Sequence, residues 1–137
     1  MIALYLNSLE NSQLNRSAVA ALDSLEKSAI VLNDSIFPTN IDIPIFSSEY
    51  INHIDGEIIT FDLNNTLRSI KALGPSTTTF YVWDLEWLRG NMDYLFNIDI
   101  YQSVDKLLCR SISHQKAIQN YCNRKAEVIN INEYIIR

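Results

Sequence analysis

Short apolar runs alternate with longer mixed stretches along most of the chain. Ile2 to Leu6 is apolar and closes at Asn7 and Ser8, which predicts a first strand. Leu14, Ala18, Val19, Ala21, Leu22 and Leu25 recur at helical spacing, with Arg16, Asp23, Glu26 and Lys27 on the other side. That period predicts an amphipathic helix from Leu14 to Lys27. Ala29 to Leu32 predicts a second strand. Ser35 to Tyr50 is less regular; within it Ile43 to Phe46 reads as a short strand that Pro44 marks as an edge. Asn52 to Gly56 is turn-like. Glu57 to Phe61 predicts another strand, and either Asp62 or Asn64 can cap the helix after it. Gly74 followed by Pro75 stops that helix at Leu73.

Thr77 to Trp83 is β-branched and aromatic, as a buried strand should be. Leu85 to Leu95 is open to two readings, a short helix broken at Gly90 or an irregular loop. Ile98 to Gln102 reads as loop or a brief turn. Val104 to Cys109 predicts a strand, Ser111 opens a helix whose body is Ser113 to Asn123, and Ala126 to Ile131 predicts the last strand. Asn132 to Arg137 reads as a tail. Strands that alternate with helices imply parallel strands joined by helical crossovers, and runs apolar throughout imply cover on both faces. The expected fold is a single Rossmann-like α/β domain over residues 1–137, with a mainly parallel central sheet flanked by helices.

The length of 137 residues suits one domain, and 47% hydrophobic against 20% charged residues supports a proper core. A net charge of -5 argues against a duplex nucleic-acid surface, which needs a basic face to displace counterions. Arg110, Lys116, Arg124 and Lys125 form a local basic cluster, read first as a solvated helix face. Cys109 and Cys122 lack zinc-ligand spacing, so no metal is expected; they read as reduced core thiols of a cytoplasmic protein. The first residues carry no basic leader, so they read as a strand and not a signal peptide. No apolar run approaches the roughly 20 residues of a membrane span. The loop after the first strand, Asn7 to Gln13, contains no Gly. A dinucleotide or phosphate loop needs Gly for close backbone approach, so no NAD or ATP cofactor is expected.

Candidate chemistry gathers at the ends of two strands. In open α/β sheets the ligand crevice lies at the carboxyl ends of the strands. The Thr77 strand exits into Asp84, Glu86, Trp87 and Arg89. Two carboxylates one residue apart can serve as acid and base or hold a cation, and they equally suit turn capping and surface pairing. Trp87 offers a flat apolar face, and it can as well be core. The later strand exits into Arg110, Ser111 and His114 at a helix N-terminus, where free N–H groups and Arg110 attract anions and where Ser111 or Ser113 can simply cap. The helix end should lower the pKa of His114. His53 reads as a surface histidine. No nucleophile–base arrangement is proposed, so no catalytic residue is assigned.

The segments Tyr81-Val82-Trp83-Asp84-Leu85-Glu86-Trp87 and Leu107-Leu108-Cys109-Arg110-Ser111-Ile112-Ser113-His114 resemble the N-terminal Rossmann-like half of GT-B glycosyltransferases. The order of elements through Val128-Ile129-Asn130 is similar as well. The resemblance implies a domain that holds an acceptor or partner at the strand carboxyl ends, as one half of a split or partner-dependent enzyme. In that family the C-terminal half supplies most of the sugar-nucleotide site, so a sugar nucleotide would bind only with a second domain or chain. The Gly-poor, Asn- and Ile-rich composition is also similar to that of phage accessory proteins. The alternative expectation is therefore a non-catalytic interaction protein that binds another protein, with no membrane partner. A response-regulator-like reading would need more acid after the first strand than Glu10 supplies.

Overall fold

Strands that are apolar on both faces need cover on both sides, and the architecture follows from that demand. The computed structural model describes residues 1–6, 18–22, 29–33, 43–89 and 94–136, without the side chains of residues 89 and 94–96. The strands are β1 Ile2–Leu6, β2 Ala29–Asn33, β3 Ile45–Phe46, β4 Glu57–Thr60, β5 Thr77–Val82, β6 Lys106–Cys109 and β7 Glu127–Val128. They form one seven-stranded sheet of order β3-β2-β1-β4-β5-β6-β7. Every pairing is parallel. The α/β fold expected from the alternation is the fold observed.

Alternate residues of each strand feed opposite faces. Leu4, Leu6, Val31, Ile59, Tyr81 and Leu108 face one side, where helix α1 (residues 18–22) and α5 (Ile131–Ile136) cover them. On the other side Phe80, Val82, Leu107 and Cys109 pack under α2 (Leu63–Lys71), α3 (Tyr94–Ser103) and α4 (Ile112–Cys122). Ala3, Tyr5, Ile30, Leu32 and Ile58 of that face are covered by Ile51 and Ile54, in and just after the 3-10 turn Ser48–His53. The expected helix from Leu14 to Lys27 is helical at residues 18–22, and its remaining positions lie outside the described residues.

Three expectations change. Tyr94–Ser103 is a helix, although Ile98 to Gln102 read as loop or a brief turn. Its apolar residues lie all round the helix, so the sequence shows no helical stripe. Tertiary contacts hold it instead. The Arg124 guanidinium donates to the carbonyls of Tyr101 at 3.0 Å, Gln102 at 3.3 Å and Val104 at 2.7 Å, satisfying groups that a helix end leaves open. Second, Ile131–Ile136 is a helix and not part strand, part tail, and β7 shrinks to Glu127–Val128. Ile131 and Ile135 bury against the sheet at helical spacing. Tyr134 between them donates to Glu57 Oε2 at 2.5 Å and accepts from Lys106 Nζ at 3.1 Å, anchoring α5 across β4 and β6. Third, α2 ends at Lys71, and Ala72 already has extended backbone.

Gly56 has φ +136 and a Cβ there would meet the Met1 carbonyl oxygen at 2.2 Å. That close approach lets Glu57 N–H donate to Met1 O and sets Ile2 opposite Glu57. Cys109 and Cys122 are both free and buried, and burial pushes both thiols up, which makes them poor nucleophiles.

Arg124→Ala is expected to destabilise the protein by about 1.5–3 kcal/mol, the range for hydrogen bonds to a charged donor. Urea unfolding measures the loss. Hydrogen exchange should show it concentrated in the last turn of α3.

Candidate functional site

The register of β5 and β6 builds the site. Val82 pairs with Cys109, so the next residues, Trp83 and Arg110, leave the sheet side by side on the face of Tyr81 and Leu108. The Arg110 guanidinium lies over the Trp83 ring, 4.4 Å from its centroid. Behind them Phe61 leans on Tyr81 at 6.2 Å between ring centroids. The Tyr81 hydroxyl donates to the Ile129 carbonyl at 2.8 Å. Burial, then Cys109, pushes the Tyr81 phenol up to about 12 against the opposing pull of Arg110, so it stays protonated.

Ser111 caps α4, its Oγ accepting from the His114 N–H at 3.2 Å. His114 Nδ1 lies 2.7 Å from the same Oγ, and Arg110 Nε donates to His114 Nε2 at 3.4 Å. Arginine can only donate, so Nε2 must carry the lone pair and Nδ1 the proton. Ser111 Oγ therefore accepts twice from His114. Burial lowers the His114 pKa first and the Arg110 charge second, while Asp84 opposes both. The expected lowering is present, but desolvation and a neighbouring cation cause it. His114 is thus a neutral prop that steadies Arg110 from the side, as Trp83 does from below. Arg110 is exposed, and among the described residues no carboxylate pairs with it.

The other expected residues part ways at the β5 exit. Asp84 is exposed at the edge, close enough to His114 to raise its pKa. Glu86 turns towards α2, where its Oε2 accepts the Leu63 N–H at 3.0 Å beside the N-cap Asp62. A carboxylate at a helix N-terminus is stabilised by the helix dipole, which gives Glu86 a structural role separate from Asp84. Trp87 lies on the opposite side of the sheet from Arg110. It stacks on Tyr121 at 4.1 Å and 11° and meets Tyr101 edge-on at 5.5 Å, packed against the core under α3 and α4. Arg89 ends the 3-10 turn Glu86–Arg89, and its side chain lies outside the description. His53 is exposed as expected and tilts against Tyr50 at 5.0 Å.

The aromatic partner of the site is therefore Trp83 and not Trp87. Alternation along β5 puts Trp83 on the face of Tyr81, a signal present in the sequence. Its contact with Arg110 depends on the register between two strands, which the sequence does not show. Strand order reverses between β1 and β4, where open α/β sheets place their ligand crevice. Phe61 and Asp62 stand on the β4 side of that point. The loop after β1 lies outside the described residues. Among the described residues no group of three His, Cys, Asp or Glu side chains converges as a metal site would, and no helix is long and apolar enough to cross a membrane.

Trp87→Ala should cost about 3 kcal/mol in urea unfolding, the low end for tryptophan truncation because the ring is half-buried. Stability should also fall on acidification in a way that His114→Gln suppresses. The folded state holds His114 below its ordinary value of 6.5, so the unfolded chain binds that proton more readily. The loss begins as pH drops through 6.5 and levels off below the lowered folded value. Denaturation midpoints at about pH 7.5 and about pH 5, for the wild type and His114→Gln, measure it. No protein-family model, no curated protein and no solved structure matches this chain.

Proposed function

We propose that this protein is a binding module that takes an acidic group of a protein partner at the carboxyl edge of β5 and β6. One observation carries the reading: Arg110 is exposed, held over Trp83 at 4.4 Å, and lacks a carboxylate partner among the described residues of a chain with net charge -5. A free arginine samples many rotamers, and binding an anion must first restrict them. Stacking on Trp83 and the His114 contact make that restriction in advance, so less is lost when a carboxylate or phosphate docks. The stack itself is worth about 0.5–1 kcal/mol at an exposed site. The planar guanidinium retains further N–H donors for a bidentate anion. The first N–H groups of α4 face the same edge and add partial positive charge. Asp84, across the site, disfavours anions that sit too far towards β5.

This is the binding half of what the glycosyltransferase-like resemblance implies, without a catalytic residue. A second reading keeps the enzyme: the chain as the acceptor-holding half of a glycosyltransferase-like pair. Its support is the strand order with its reversal between β1 and β4, the arrangement of nucleotide-binding sheets. Affinity capture from native lysate separates the two. A companion chain with a nucleotide-sugar fold supports the pair, and a partner of unrelated fold and function supports the module.

Titration of the isolated protein with inorganic pyrophosphate, followed by amide and arginine side-chain NMR, tests the site directly. Saturable shifts at Arg110, Ser113 and His114 are expected, absent in Arg110→Ala and weakened in Arg110→Lys, which keeps the charge and loses the fork. An unchanged response in Arg110→Ala sinks the proposal.

A further inference from the structure

Helix α4 carries a second surface that the edge site does not use. Its outer face borders a cleft of about 340 Å³ lined by Gln115, Lys116, Gln119, Asn120 and Lys125. A second cleft of about 200 Å³ is lined by Trp87, Leu88, Ala117, Asn120 and Tyr121. Asn120 lines both, so the two are neighbours on one helix. Their chemistry differs. The smaller is walled by the Trp87–Tyr121 stack and by Leu88, which is 69% exposed. The larger carries two exposed lysines, and neither makes an ion pair among the described residues. Among the described residues no carboxylate lines either cleft.

We infer that this surface docks an acidic segment of another protein, one apolar side chain entering between Trp87 and Leu88 and the flanking carboxylates meeting Lys116 and Lys125. Charge complementarity selects the occupant. The chain as a whole is acidic, at -5, yet the described residues that line this surface are positive or neutral. Arg124, the neighbouring cation of the sequence cluster, is committed to the end of α3, which leaves Lys116 and Lys125 as the charged groups among the described lining residues. Apolar anchorage beside unlike charge is the arrangement by which a rigid groove reads a short segment, the pocket supplying affinity and the charges register and approach. Lys116 and Asn120 are one helical turn apart, as are Ala117 and Tyr121, so both rows lie along one side of α4 and can contact one extended segment together. The surface is independent of Arg110, which lies on the opposite face of the sheet.

The probe is a synthetic peptide with one leucine flanked on each side by three glutamates, titrated into the full chain by amide NMR at low salt. Saturable shifts at Lys116, Asn120 and Lys125 and at the Trp87 indole N–H are expected. The double variant Lys116→Glu, Lys125→Glu should weaken binding about tenfold or more, and Leu88→Asp should do the same through the apolar half. All three positions are exposed, so the variants should keep the wild-type spectrum elsewhere. Added salt should weaken binding by screening. Arg110→Ala should leave it unchanged, which separates this surface from the edge site. Equal binding of a matched peptide with lysines in place of glutamates overturns the inference. So does the absence of saturable shifts, or an unaltered affinity in the charge-reversed variant. Concentration-dependent sedimentation that the charge reversal abolishes would assign the surface to a second copy of this chain, and would overturn it as well.

Discussion

A parallel sheet exposes no face to water, and that constraint shapes the molecule. The five inner strands β1, β2, β4, β5 and β6 are buried on both sides, so the crossovers between them must bring cover. Crossovers between parallel strands are right-handed. From β1 the chain moves to β2 on one flank, and from β4 it moves through β5, β6 and β7 on the other. Opposite directions with one handedness put α1 on one face and α2, α3 and α4 on the other. The last helix, α5, returns to the α1 side and covers Tyr81 and Leu108 there. The division of the core into two faces is thus a consequence of strand order and chirality.

The same constraint concentrates function at one edge. All strands point the same way, so every exit lies on the carboxyl side. Strands that are neighbours in the sheet deliver their exit residues as neighbours. Trp83 and Arg110 meet because β5 and β6 pair in register up to Val82 and Cys109. His114 joins them because Ser111 starts α4 at once, placing the third residue of the helix above the strand end. Glu86 shows the opposite use of proximity. The β5 exit passes the start of α2, so its carboxylate satisfies a helix N–H and leaves the site.

Away from that edge, polar ties hold elements whose local preference is weak. Arg124 closes α3, and Gln102 answers by donating to the Cys122 carbonyl at the end of α4, at 2.7 Å. At the amino edge Glu57 gathers Thr79, Tyr134 and Lys106, so that three strands and α5 share one half-buried carboxylate. Burial and the bond to Glu57 both raise the Tyr134 pKa, which keeps the phenol a donor at neutral pH. These contacts span long separations along the chain, and they make short elements cooperate.

The sequence by itself determined the alternation of strands and helices, and with it the parallel sheet. The reason is local: β-branched apolar runs, a capping Asp62 and a capping Ser111 each act within a few residues. It also placed Asp84, Arg110, Ser111 and His114 at strand exits, because an exit is a change of pattern along the chain. Only the tertiary structure decided which exits meet. Helix α3 was invisible because its apolar residues have no preferred side, and Arg124, distant along the chain, completes it. Helix α5 was hidden because six residues carry too little periodicity until Ile131, Tyr134 and Ile135 find the sheet. In the sequence Trp87 reads as the site residue, since it stands among Asp84, Glu86 and Arg89, and Trp83 reads as the end of the strand. Strand alternation and the β5–β6 register send Trp83 to Arg110 and Trp87 to Tyr121, and register is a relation between segments that no single segment encodes.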